Sequence, residues 1–243
     1  FAPMIAVDSA NSVAADDTNS LRYGMRTNGK SGFVFVNHYQ RLTELADIEN
    51  AVISAENVEF PPIDVKGEVS FFMPFNMKMG DSVLEYATAQ PLCKCDDTYF
   101  FAEIPNIKAE YKFSKGSANI VTVPFENAKY MRKLNGTVYI GGGCNLYEEN
   151  GQIHSVEDGE YICQKWNGSE FETLKIGQSA KQSNVEITGA ENAPFEPKYK
   201  EELCIGGERE LTWKKINVDG GYGFAEIDYV GDVAQIYADG ELV

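Results

Sequence analysis

The feature that most limits what this chain can fold into is its punctuation by asparagine-glycine and aspartate-glycine pairs. Asn28-Gly29, Asn135-Gly136, Asn150-Gly151, Asp158-Gly159, Asn167-Gly168, Asp219-Gly220 and Asp239-Gly240 all offer the positive-φ residues that tight hairpin turns require. Around them lie short runs rich in Val, Ile, Phe, Tyr and Thr, at residues 32–37, 69–75, 98–104, 120–125, 137–140, 161–166, 171–176, 185–188, 211–218, 224–229 and 234–237. Runs of that length and composition, bounded by turn residues, predict strands. Apolar spacing suited to a helix is scarce, and the best stretch, 42–52, reads equally as a strand with a polar turn. The pattern therefore predicts an all-β chain: antiparallel sandwich-like or jelly-roll-like domains joined by hairpins, with little helix.

Layering follows from which strands alternate and which do not. Phe33-Val34-Phe35-Val36 is apolar at every position, which predicts a strand covered on both faces. Residues 160–176 instead form two arms about Asn167-Gly168, and the second arm alternates apolar with polar, as a hairpin with one solvated face does. The turn signals at Asn150, Asp158 and Asn167 are spaced as in a meander of short strands. Residues 177–197 are poor in large apolar groups and carry Pro194 and Pro197, so they read as a connector. The expected organisation is a β-sandwich-like domain over 1–125, a meander and connector over 126–200, and an incomplete jelly-roll-like β unit beginning at 201 and cut off at 243.

Charge narrows the partners. With 21 Lys+Arg against 37 Asp+Glu, the chain carries a net charge of −16, which repels phosphate backbones and anionic lipid. Neither nucleic acid nor membrane is expected as a partner, and the apolar runs are only a few residues long against the roughly 20 that a spanning helix needs. The opening Phe1-Ala2-Pro3-Met4 lacks both an initiator methionine and a basic leader region, which predicts a mature or excised piece. Cysteines number 5, odd and irregularly spaced, so reduced thiols are expected, and together with the missing leader they favour a cytoplasmic setting.

The chemistry-bearing residues are few. His38 and His154 are the only histidines, so any Ser-His or Cys-His nucleophile must use one of them. His38 sits in Asn37-His38-Tyr39-Gln40-Arg41, a polar tip at the end of an apolar strand and a candidate ligand contact. Its plainer reading is a hydrogen-bonded strand-end residue at a domain contact. His154 reads as a surface residue beyond the Asn150-Gly151 turn. Cys93-Lys94-Cys95 places both thiols on one face of an extended segment but lacks the further clustered ligands of a closed zinc site, and no nearby base would activate a thiol. The acidic stretches at 8–17, 148–150 and 218–220 do not match a calcium-binding loop. Gly141-Gly142-Gly143 precedes no helical pattern, so a phosphate cradle is not expected. No cofactor and no metal are therefore expected. Trp166, beside a turn, is a candidate sugar-stacking surface, with a core position as its plainer reading; Trp213 reads as core. With 37 acidic residues, no carboxylate pair stands out as the acid and nucleophile of a glycosidase.

Three segments resemble the non-catalytic β domains of bacterial β-galactosidases of glycoside hydrolase family 35. They are Leu21-Arg22-Tyr23-Gly24-Met25-Arg26-Thr27-Asn28-Gly29-Lys30-Ser31-Gly32-Phe33-Val34-Phe35-Val36-Asn37-His38-Tyr39-Gln40-Arg41, then Val69-Ser70-Phe71-Phe72-Met73-Pro74-Phe75, and a C-terminal run, 231–243, that looks like the opening of a galactose-binding-like jelly roll. The resemblance runs in order from Leu21 to the C-terminus, with residues 181–202 carrying little of it. In that family a catalytic (β/α)8 barrel precedes these domains and bears both glutamates, one of them in a Glu-Asn-Glu-Tyr-like run. No such run occurs here, nor do strands alternate with long helices.

The resemblance implies an accessory, non-catalytic fragment of a β-galactosidase-like glycoside hydrolase acting on terminal β-galactosides. Its partner is the catalytic barrel of the same parent protein, with galactosides as a further ligand class. The candidate carbohydrate or barrel contacts are Asn37, His38, Tyr39, Arg41 and Trp166, and none is assigned a catalytic role. Two other classes remain open, a free-standing carbohydrate-binding module and a structural or adhesion domain, because an all-β architecture alone does not decide between them.

Overall fold

In the computed structural model the chain divides into two compact units, Phe1–Gln178 and Ser179–Val243. The structure describes residues 4–7, 13–14, 16–40, 42–156 and 160–176, and, in the second unit, 191–192, 214–215, 237–238 and 241–242. Arg41, Cys204 and Trp213, the Asp158-Gly159, Asp219-Gly220 and Asp239-Gly240 turns, the strands expected at 185–188 and 224–229, and most of those at 211–218 and 234–237 lie outside the described residues. So does most of the jelly-roll-like unit expected from residue 201.

The first unit is built almost wholly of strands. In chain order they are β1 (Ile5–Val7), β2 (Tyr23–Thr27), β3 (Gly32–His38), β4 (Ile48–Ala51), β5 (Ser54–Ala55), β6 (Val58–Glu59), β7 (Ile63–Val65), β8 (Val69–Met79) and β9 (Ser82–Ala87). Then come β10 (Gln90–Cys95), β11 (Thr98–Ala102), β12 (Tyr111–Lys115) and β13 (Asn119–Val123). A single helical turn, α1 (Phe125–Ala128), follows Pro124, and the unit closes with β14 (Met131–Leu134), β15 (Thr137–Ile140), β16 (Leu146–Glu149), β17 (Gln152–Ser155), β18 (Tyr161–Trp166) and β19 (Phe171–Ile176). In the second unit β20 (Glu191–Asn192) pairs with β21 (Lys214–Lys215), and β22 (Tyr237–Ala238) with β23 (Glu241–Leu242). The chain is all-β, as the turn pattern predicts. The segment 42–52 is not helical and ends in β4.

Two turns show the mechanism directly. Asn135 and Gly136, at φ 47° and 79°, and Asn150 and Gly151, at φ 52° and 79°, join β14 to β15 and β16 to β17. Both central residues at positive φ match the twist of the flanking strands. Asn28-Gly29 and Asn167-Gly168 use a longer loop. There the asparagine side chain accepts the backbone N–H groups of residues two and three further on, and only the glycine takes positive φ.

A six-stranded sheet, in the order β1-β2-β3-β8-β9-β12, forms one layer. On its inner face Val34 and Val36 of β3 and Phe71, Met73 and Phe75 of β8 are buried against Ile53, Phe60, Ile63 and Val65 of the excursion from β4 to β7. On the opposite face Phe33 and Phe35 are half-buried against Phe72, with ring centroids 5.8 and 5.5 Å apart. Within β8, Asn76 takes φ +49°, donating from its side chain to the Lys30 carbonyl at 3.0 Å and to Asn57 Oδ1 at 3.2 Å. Before it the inward residues join this first core, whereas Met79 beyond it joins a separate core with Leu84, Ala87, Ala89 and Phe101.

The three-stranded sheet β10-β11-β13 contains a parallel pairing, β11 with β13, amid otherwise antiparallel partners among the described strands. Parallel pairing suits a strand buried on both faces, and β11 is one. Phe101 enters the core beside Leu84, while Phe100 enters another with Val138, Ile140 and Trp166 of the four-stranded sheet β14-β15-β18-β19. A single core thus draws on residues from both sides of α1.

Candidate functional site

The polar tip of β3 is where the structure brings chemistry-bearing groups together. Along β3 the alternation buries Val34, Val36 and His38 and leaves Asn37 exposed, so the imidazole ends the inward-facing apolar row. His38 is 1% exposed, and neither Nδ1 nor Nε2 has a hydrogen-bond partner. Such an unpaired buried polar group costs about 1–3 kcal/mol. His38→Leu, which keeps the bulk and removes both polar atoms, is therefore expected to raise the unfolding free energy by about 1 kcal/mol or more in urea titration. A loss of stability in this variant would show that the imidazole is held by bonds.

The strand end opens onto a groove of about 550 Å³. His38, Tyr39 and Gln40 line it from the end of β3, Leu42 to Leu45 and Asp47 from the following turn, and Gly67-Glu68 from the turn before β8. The loop turns tightly: the Thr43 N–H donates to the Gln40 carbonyl at 3.2 Å, and Leu42 takes φ +59° with its side chain 96% exposed. A leucine in the left-handed region is uncommon and carries strain. Asp47 Oδ1 accepts the Gly67 N–H at 3.0 Å, tying the two loops at the far wall. Tyr39 is 47% exposed, and Glu44, Asp47 and Glu68 are exposed, so the groove's lining includes a half-exposed aromatic residue, three acidic residues and the residue that carries the unpaired imidazole.

The residues singled out in the sequence part company here. Asn37, His38 and Tyr39 share the tip. Asn37 lies on the opposite face of the strand from His38, its Oδ1 accepting Ser70 Oγ at 2.7 Å across the β3–β8 ladder. Arg41 lies outside the described residues. Trp166 belongs to a different core. It is 6% exposed, with its ring edge-on to Phe100 at 5.1 Å and to Phe171 at 5.2 Å, so no face is open for stacking on a sugar. Glu44, Asp47 and Glu68 had no distinguishing mark among so many acids; only the return of the chain after β7 places Glu68 beside the loop after β3.

Elsewhere the chemistry is sparse. His154 is half-buried on β17 and stacks on its cross-strand neighbour Tyr147, with centroids 5.4 Å apart. Cys95 is buried and donates to the Gly136 carbonyl at 3.1 Å, whereas Cys93 is half-buried and its thiol pKa is raised above the usual value, mainly by desolvation. Burial also raises the Cys163 thiol, with neighbouring Cys144 adding to the effect. Thiols so shifted are poor nucleophiles at neutral pH. Among the described residues no group of three acidic, histidine or cysteine side chains could hold a metal ion, and no helix is long and apolar enough to cross a membrane. A second, broader depression of about 960 Å³ runs between Glu103 and Ala109 on one side and Phe125 and Glu126 on the other, with Lys129 Nζ 4.6 Å from the Phe125 ring centre. No unpaired buried polar atom lies among its lining residues. The chain matches no protein-family model, and no curated protein matches it.

Among the described residues no carboxylate orients His38 as a general base, and no serine or cysteine is bonded to it.

Proposed function

We propose that this chain is an accessory β portion of a β-galactosidase-like glycoside hydrolase acting on terminal β-galactosides, bracing a catalytic barrel that it does not itself contain. One observation carries the reading. The two family-like segments that are separated in sequence, residues 21–41 and 69–75, are adjacent strands of one sheet, with Phe35 opposite Phe72 and His38 opposite Val69. The resemblance therefore falls on a contiguous structural unit ending at the tip groove, which supports reading the two segments as parts of one accessory domain. The rival reading, a free-standing carbohydrate-binding module, draws on the same groove.

The test is complementation. A family barrel deprived of its own β domains is mixed with this chain, and hydrolysis of a chromogenic β-galactoside is followed. The chain alone is expected to give no turnover, and the mixture at least tenfold more than the barrel alone. Turnover by the purified chain, or a mixture no faster than the bare barrel, overturns the proposal.

A further inference from the structure

We infer that the groove at the end of β3 is a subsite for one saccharide ring, with His38 as its polar anchor and Tyr39 as its stacking face. The choice of a saccharide over other ligands that both donate and accept hydrogen bonds rests on the glycoside hydrolase reading above; the need for a ligand of that kind does not. An imidazole in either protonation state presents at least one N–H donor, and both ring nitrogens of His38 are buried and unpaired. Ammonium and guanidinium groups only donate, so they leave the imidazole N–H unmatched. An anion only accepts, and it would also face Glu44, Asp47 and Glu68. A hydroxyl group both donates and accepts, and it satisfies either nitrogen as well as the carboxylates, which need donors. The half-exposed Tyr39 ring adds an apolar surface suited to the C–H face of a pyranose, and about 550 Å³ falls within the range of small-ligand clefts.

The experiment uses the full chain labelled with 15N and follows the imidazole nitrogens of His38 by NMR. Methyl β-galactopyranoside and methyl β-glucopyranoside are titrated, with glycerol as the polyol control. The expected result is a saturable shift at His38 with a Kd of about 1–10 mM for at least one glycoside, as befits a single exposed subsite. In the variants binding is read from the backbone amide shifts of the residues around the groove: Tyr39→Ala, a surface change, is expected to weaken it about 3- to 10-fold, and His38→Leu to abolish saturation at those amides. Shifts that never saturate, shifts equal to those from glycerol, or binding unchanged in both variants would overturn the subsite. Because complementation reads turnover and this titration reads binding, the two proposals fail separately. Complementation without glycoside binding removes only the subsite, and binding without complementation removes only the accessory role.

Discussion

Replacing Phe100 by alanine is expected to cost about 3–5 kcal/mol of unfolding free energy, the largest effect of any single truncation considered for this chain. Phe100 is fully buried, and its ring meets Trp166 edge-on at 5.1 Å with an interplanar angle of 89° and Phe171 at 6.0 Å. These contacts join the sheet containing β11 to the one containing β18 and β19, so the lost volume lies between two layers that cannot collapse without moving strands. Aromatic edge contacts add about 0.5–1.5 kcal/mol beyond buried area. Urea unfolding followed by tryptophan fluorescence checks this, since Trp166 borders the cavity. A cost under about 1.5 kcal/mol, below the range for core Phe→Ala, would mean that the two sheets do not share a packed core.

The second large effect is expected at Gly32. It is buried at the start of β3, opposite Thr27 and Phe75, and a Cβ there would collide with the Arg26 carbonyl oxygen and lie 2.7 Å from Phe75 Cζ. A backbone carbonyl cannot swing aside without breaking the β2–β3 ladder, so Gly32→Ala is expected to lose about 3 kcal/mol, the upper end of overpacking costs. Gly24, on the other arm of the same hairpin, supplies the control. Nothing lies within 4 Å of its Cβ position and its φ is not in the left-handed region, so Gly24→Ala is expected to be neutral or to stabilise by about 0.5 kcal/mol. Thermal or urea unfolding of the pair decides the matter. Equal effects at both positions would mean that backbone entropy, and not the collision, sets the outcome at Gly32.

Legibility in the sequence tracked how local each cause is. The strands Thr137–Ile140, Tyr161–Trp166 and Phe171–Ile176 fall on the expected limits because their turns and alternation are written within a few residues. By contrast the linear pattern of turn pairs and apolar runs does not mark β9, β10 or β12. Gly80-Asp81 closes β8 onto β9, and Asp96, at φ +49°, turns β10 into β11, and neither carries the asparagine-glycine signal. The short helix after Pro124 also escaped, being too brief for any periodicity. At the tip, Asn37, His38 and Tyr39 stood out because an apolar run ends abruptly in polar residues. Nothing in the linear order marked His38 as an unpaired group, since that depends on what fails to approach it in space.

What the amino-acid order settles by itself is the class of structure. Paired positive-φ residues and β-branched or aromatic runs leave strands and hairpins as the low-energy local choice, and these preferences act over a few bonds. What only the tertiary structure decides is which residues meet. Trp166 is drawn into a core by Phe100 and Phe171, some 66 and 5 positions away along the chain, and Glu68 reaches the loop after His38 only because β4 to β7 carry the backbone out and back. Such encounters are selected by the burial of apolar area across whole layers, a cooperative quantity that no short window of sequence contains.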